Sequence, residues 1–460
     1  MRSEPIGAPG WLRAVALCVG LGLALLSARA EATAARARAV RASGTPEAPI
    51  LAAGRWIMGC DDTGQCTAYA TTVEGDTEEP DDEADAAQRR ADPTRAGARD
   101  VDCPSRDAAG ATASRSAAAP DAPAPASIRL ERLAGAGAPV AMGVTLHRPR
   151  EIPEPMGSAW RQSMPHRVLA CVDGKVLGSI ERDSTPGDRR DDPSIEGAYM
   201  VPDVEARAWI ERLTSGHRLE LYEVAAPGTA SGTPDRSSAL RHWQLPVDGA
   251  RDALAAMDAR QGRVGTRGAL VRRGPHDERR VPAPRPLPRV RPTTALDAIE
   301  APGALRAARR AARHVARACL AERAASDTGG DAVYAIDETR WLLQLRCLQA
   351  SYQDAFNFYV VAAPRRSGRP RADPRPREVV ELSGVIGAEV ESGRGTISSF
   401  SKLRGWADCW SALRWAWTHA GPLLVYQEDM PVCAGPDRVN DSGIATRVAD
   451  VLLPKGARVR

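Results

Sequence analysis

Lysine is almost absent from this chain of 460 residues: Lys175, Lys402 and Lys455 stand against 59 arginines. Aromatic residues are scarce at 4%, so a core built from this sequence has few large rings to draw on. No uninterrupted apolar run reaches the roughly 18 residues of a spanning helix, which argues against an ordinary transmembrane segment. No C-x-x-C pair occurs, so neither a thioredoxin-type redox pair nor a zinc knuckle is indicated. The G-x-S-x-G, P-loop, G-x-G-x-x-G and H-E-x-x-H patterns are all missing. The seven histidines are scattered, none with a partner at ligand spacing, and nothing points to a metal or another cofactor. Charge of one sign is missing too: 62 basic against 58 acidic residues leaves +4, which argues against a nucleic-acid partner. With so much alanine and so little lysine, the arginine excess reads as the imprint of a GC-rich genome.

What is there begins with a compartment signal. Arg2 and Arg13 precede an apolar run over residues 14–26, which ends in Ala28-Arg29-Ala30. This is the charged, apolar and small-residue succession of a cleaved secretory signal peptide over residues 1–30. Cleavage near Ala30 removes three arginines and one glutamate, leaving the mature chain at +2. The expected location is periplasmic or secreted, with no stable membrane span in the mature chain. In such a compartment the remaining cysteines read as disulfides. Eight remain: Cys60, Cys66, Cys103, Cys171, Cys319, Cys347, Cys409 and Cys433. Their number allows about 105 pairings. Proximity ranks Cys60–Cys66, Cys319–Cys347 and Cys409–Cys433 first, leaving Cys103–Cys171 by elimination. Each of the two longer bridges adds roughly 3 kcal/mol through loop entropy.

The chain divides by composition. Residues 31–73 hold the stretch Arg55-Trp56 to Cys60-Asp61-Asp62-Thr63-Gly64-Gln65-Cys66, a hairpin with turn chemistry between its strands. Residues 74–126 are Ala, Pro, Asp and Arg, too polar to offset their ordering entropy, and read as a disordered insertion. Order resumes over 127–271 with an alternating strand at 128–133, a strand at 168–171 and a helix from Asp203, its N-cap. A strand at 219–222 and a helix from Asp248 follow. Residues 272–300 are a stiff Pro/Arg-rich linker. Residues 301–460 open with one helix over 304–325, whose buried stripe is Leu305, Ala308, Ala312, Val315 and Cys319. Arg306, Arg309, Arg310, Arg313 and Arg317 form its solvated face; binding of anions there is the alternative. The expected fold class is α+β: two β-rich, disulfide-braced domains with short helices packed on antiparallel sheets.

Candidate binding residues are few. Trp56 beside Asp61 and Asp62, Arg404 near Asp408, and Trp415 with Trp417 are the possible contacts. The two tryptophans lie two apart, so on a strand they share a face and could stack on a sugar or fill a core. No catalytic residues emerge. The expected function is a noncatalytic cell-envelope protein that binds an unknown envelope protein or polymer. The alternatives are a periplasmic hydrolase with a spatially assembled site and a secreted enzyme inhibitor.

Three stretches together resemble an exported bacterial family, domain of unknown function one-one-seven-six: Arg55 to Cys66, Gln261-Gly262-Arg263-Val264-Gly265-Thr266-Arg267-Gly268 running on to Gly274, and Phe400 to Arg404 and Cys409. The N-terminal half also resembles the invasion-associated locus B proteins in outline. The family of unknown function carries no assigned catalytic residues, so the resemblance to it implies compartment and architecture without chemistry.

Overall fold

In the computed structural model the described residues are 50–72, 126–146, 167–181, 198–216, 218–223, 242–321, 329–349, 353–364, 375–404, 409–433 and 443–455. The expected signal peptide and nearly all of the expected insertion at 74–126 lie outside them, as do Cys103 and Asp408. The described residues fall within one unit, Ala48–Arg460.

The first half carries two antiparallel sheets and two helices. Strands β1 (Leu51–Ala53), β2 (Trp56–Cys60), β3 (Cys66–Thr71), β4 (Ala126–Arg132), β5 (Val140–Leu146) and β8 (Ala198–Val201) pair in that order. Strands β6 (Arg167–Val172), β7 (Lys175–Glu181), β9 (Arg218–Glu223) and β10 (His242–Pro246) form the second sheet, in the order β10-β9-β6-β7. Period-two patterning sets the faces. On β4, Ala126, Ile128 and Leu130 are buried while Arg129 between them is only half-buried. Helix α1 (Asp203–Leu213) buries Ala206, Trp209, Ile210 and Leu213. Its cap residue is Pro202, one position before the expected Asp203, because the proline already has the extended backbone that a cap requires. Helix α2 (Ala250–Arg260) follows Gly249, whose φ of +86° favours glycine. A Cβ there would stand 1.8 Å from the Ala53 carbonyl oxygen, so this close approach of α2 to β1 also demands glycine.

The scarcity of aromatics is met by concentration. Trp56, Trp209 and Trp243, each fully buried, share one hydrophobic cluster with β4, β5 and α2 side chains. Such rings bury roughly 150–250 Å² apiece, so three replace many smaller contacts.

The second half follows the same plan. Strand β11 (Arg289–Val290) precedes helices α3 (Ala304–Ala312) and α4 (Arg317–Ala321). Strands β12 (Ala332–Ala335), β13 (Arg340–Gln349), β14 (Asp354–Ala362) and β15 (Arg377–Glu378) form one sheet, with β16 (Val385–Ile386) also on β14. Strands β17 (Ala388–Glu391), β18 (Thr396–Lys402), β19 (Trp410–Thr418), β20 (Gly421–Met430) and β21 (Ile444–Arg447) form the next, paired in chain order. Finally β22 (Asp450–Val451) pairs parallel to β11. The architecture is α+β, dominated by antiparallel sheet. The expected single helix over 304–325 is two helices, separated by turns at 313–316. The break rotates the buried stripe: Ala308, Ala312, Ala316 and Cys319 are inside, and Val315 is 39% exposed. Arg309, expected on the solvated face, reaches buried Asp331 at 3.8 Å.

Three disulfides staple these elements. Cys60–Cys66 closes the β2–β3 hairpin, Cys319–Cys347 ties α4 to β13, and Cys409–Cys433 joins the segments entering β19 and leaving β20. Cys171 is disulfide-bonded as well. Among the described residues, no helix is long and apolar enough to cross a membrane.

Candidate functional site

The residues after α2 are dense in glycine and arginine, and the chain folds back on itself there. Arg263 is wholly buried and uses its full fork. Its Nη1 donates to Glu278 Oε1 at 2.7 Å, its Nε to Gln261 Oε1 at 3.0 Å, and its Nη2 to the carbonyls of Gly135 and Leu133. The Gln261 amide donates in turn to the carbonyls of Gly64 and Arg132, both at 3.0 Å, tying this segment to the β2–β3 and β4–β5 turns. Thr266 Oγ1 donates to the Arg263 carbonyl at 2.7 Å and closes the loop. Such complete pairing offsets the cost of burying the charge.

Two carboxylates complete the cluster. Asp258, buried at the end of α2, accepts from the backbone N–H groups of Leu270 at 2.8 Å and Val271 at 2.9 Å. Glu278 opens a short 3-10 turn, Glu278–Arg280, and its second oxygen accepts from Gly137 N–H at 2.7 Å. Gly268 makes room for it: a Cβ at that position would begin 1.7 Å from Glu278 Oε1.

Arg132, the last residue of β4, is the member left incomplete. It is 5% exposed, and its Nε donates to the Ala138 carbonyl at 3.3 Å. Its carboxylate neighbours stand off, Asp258 at 3.8 Å and Glu278 at 3.7 Å, beyond hydrogen-bond length. Nη1 has no hydrogen-bond partner. Burial pushes the guanidinium down from its ordinary value to about 10; Arg263 adds to the fall, while Glu278 and Asp258 oppose it. Arg132 stays charged at neutral pH, held in surroundings that only partly compensate it.

This residue lines a cleft of about 220 Å³ between the β4–β5 turn, α1 and the loop after α2. Arg207 of α1, Arg273 and Glu278 also line it, with an apolar side formed by Pro139, Val140, Ala206, Ile210 and Leu270. Arg273 Nη1 donates to Glu211 Oε1 at 2.8 Å on the exposed rim. Arg207 is exposed, and its side chain has no ion pair among the described residues.

The residues singled out from sequence lie elsewhere. Trp56 is fully buried in the first core cluster, and its Nε1 lacks a hydrogen-bond partner. Asp61 caps the hairpin turn: its Oδ1 accepts from Thr63 N–H at 2.8 Å, Thr63 Oγ1 at 2.7 Å and Gln65 N–H at 3.1 Å. Asp62 Oδ2 accepts from Val448 N–H at 3.4 Å. Trp415 and Trp417 are buried in the second-half core with Phe358 and Ile397. Arg404 is exposed. None of these residues lines the cleft. Sequence reasoning passed over Arg132, Arg207 and Glu278, because an arginine in so arginine-rich a chain carries little signal. The Gly/Arg run 261–274 was the available clue, since glycines packed around arginines mark guanidiniums enclosed by backbone.

Comparison with known proteins agrees on one point. The chain belongs to the family described as protein of unknown function (DUF1176), whose family model matches residues 100–443. The arginine–carboxylate cluster lies inside that span, and the Cys60–Cys66 hairpin lies ahead of it. No curated protein and no solved structure matches the chain.

Proposed function

We propose that this member of the DUF1176 family is an exported, noncatalytic protein of the cell envelope whose role is to bind a protein or surface polymer. The observation that carries export is the disulfide set: Cys60–Cys66, Cys319–Cys347 and Cys409–Cys433 are all closed. Such bonds persist in oxidising compartments and are rare in the cytosol, and the signal-like pattern at residues 1–30 gives the route. Binding is favoured over hydrolysis by how the acid lining the cleft, Glu278, and the one buried behind it, Asp258, are used. Glu278 is held by Arg263 and Gly137, and Asp258 by two backbone amides, so each carboxylate is engaged as a structural acceptor.

In this reading residues 31–73 and 127–271 form one β-rich unit, residues 301–460 a second, and residues 272–300 lie between. The three largest hydrophobic clusters follow that division, although Leu296 carries the second into residues 272–300, and a fourth cluster joins Ile57 and Tyr69 to Met430 and Ile444 across it. The largest draws on residues from Trp56 to Leu270, and the next two on residues from Leu296 to Leu424.

The test is expression of the full chain in a bacterial host, followed by fractionation, N-terminal sequencing and thiol alkylation. The expected product is periplasmic or secreted, begins at Glu31 and has no alkylatable cysteine. Cytoplasmic retention with free thiols, or an exported product that begins before Ala28, overturns the proposal.

A further inference from the structure

We propose that the cleft beside Arg132 is a binding site for a small monocarboxylate with an apolar body. This goes beyond the binding role given above, which it meets only where the carboxylate is a peptide terminus, and rests on none of the export argument.

The charges select the ligand. Arg132 and Arg263 face Asp258 and Glu278, so the inner cluster is balanced. Arg273 is paired with Glu211 at the rim. Arg207 is left over, giving the cleft one excess positive charge, which suits one negative charge. Arg132 supplies the anchor: a buried guanidinium in a wall of the cleft, whose Nη1 has no hydrogen-bond partner and stands 3.8 Å from Asp258 Oδ1. A guanidinium fork matches a carboxylate in plane and spacing, and charge-assisted bonds of this kind are the strong ones. Arg207 closes on the same anion from the exposed side. Pro139, Val140, Ala206, Ile210 and Leu270 line the same cleft and offer apolar surface for the body of the ligand. An open cleft of about 220 Å³ has room for a short acid.

A free acid and the C-terminal residue of a peptide share this chemistry. Purified full-length protein is titrated calorimetrically with hexanoate, hexanamide, hexyl phosphate, and a tripeptide ending in valine with its terminus free or amidated. Hexanoate is expected to bind and hexanamide to bind about tenfold or more weakly, the contribution of one charge-assisted contact. Arg132→Met is expected to lose about tenfold in hexanoate affinity, and Arg207→Ala a smaller factor. Because Arg207 is exposed, that variant tests the site even if Arg132→Met does not fold. Binding of the free-carboxyl tripeptide supports a peptide terminus as the source; binding of hexanoate with no response to the tripeptide supports a free acid. The proposal is overturned if neither acid binds, if hexanamide matches hexanoate, if hexyl phosphate binds more tightly, or if the Arg207→Ala affinity is unchanged. A failure of this titration leaves the fractionation result standing, so the two readings fail separately.

Discussion

Replacing Arg132 by methionine is expected to stabilise the unliganded protein. The guanidinium value falls to about 10, and the first cause is burial. That fall is worth roughly 3 kcal/mol against the charged folded state, at 1.36 kcal/mol per tenfold in acidity. Methionine keeps most of the aliphatic stem and removes the charge. It also removes the hydrogen bond to the Ala138 carbonyl, worth about 1 kcal/mol. The two carboxylates left behind remain satisfied: Glu278 keeps Arg263 and Gly137, and Asp258 keeps Leu270 and Val271. The net expectation is a gain of about 2 kcal/mol, against which stands the cost of leaving Asp258 buried without this counter-charge. The pH dependence follows from the sign. A base whose folded value lies below its unfolded value weakens the fold wherever it is charged. The penalty is therefore complete below pH 10 and fades only as pH rises through 10 toward the ordinary arginine value. Urea unfolding at pH 7 in a carboxylate-free buffer measures the difference. A variant less stable than the parent by about 1 kcal/mol or more refutes the reasoning, because Asp258 and Glu278 then outweigh desolvation.

Other outcomes follow from the same geometry. Gly268→Ala places a methyl on Glu278 and displaces it from Arg263, costing about 1–3 kcal/mol in chemical denaturation; an unchanged midpoint contradicts the packing. Removing Cys319–Cys347 with a paired serine substitution opens a loop of sequence separation 28 and lowers stability by about 3–4 kcal/mol, read as a depressed Tm. Burial and the neighbouring Glu428 push the Tyr426 hydroxyl well above its ordinary value. The unfolded phenol ionises first, so stability should fall as pH rises past about 10, and Tyr426→Phe should flatten that loss in alkaline melts.

How much of this was legible in the sequence differs between fold and site. The β2–β3 hairpin was readable because Asp61-Asp62-Thr63-Gly64 is turn chemistry flanked by cysteines, and Asp61 does cap that turn. Strand β4 was readable from the alternation Ile128-Arg129-Leu130-Glu131, although Ser127 ahead of it is buried as well. The break between α3 and α4 was not, because residues 313–316 hold no glycine or proline to announce it; Ala316, small enough for either face, replaces Val315 inside. The cleft was the least legible. Arg132, Arg207 and Glu278 lie far apart in sequence and meet only because Gln261 and Arg263 bind the β4–β5 turn to the loop after α2. Trp415 and Trp417 do share a buried face, and the aromatic pairing that advertised them as contacts also suits them to the core.

Arginine-selective 15N NMR of the protein titrated with hexanoate tests the central claim most directly. A buried guanidinium exchanges slowly, so the Arg132 side-chain signals stand apart from those of the exposed arginines. Carboxylate binding in the cleft shifts the Arg132 and Arg207 signals together, saturably, and leaves those of α3 unmoved. Saturating shifts at Arg306 and Arg310 with Arg132 still would place the anion on the solvated helix face and contradict the assignment.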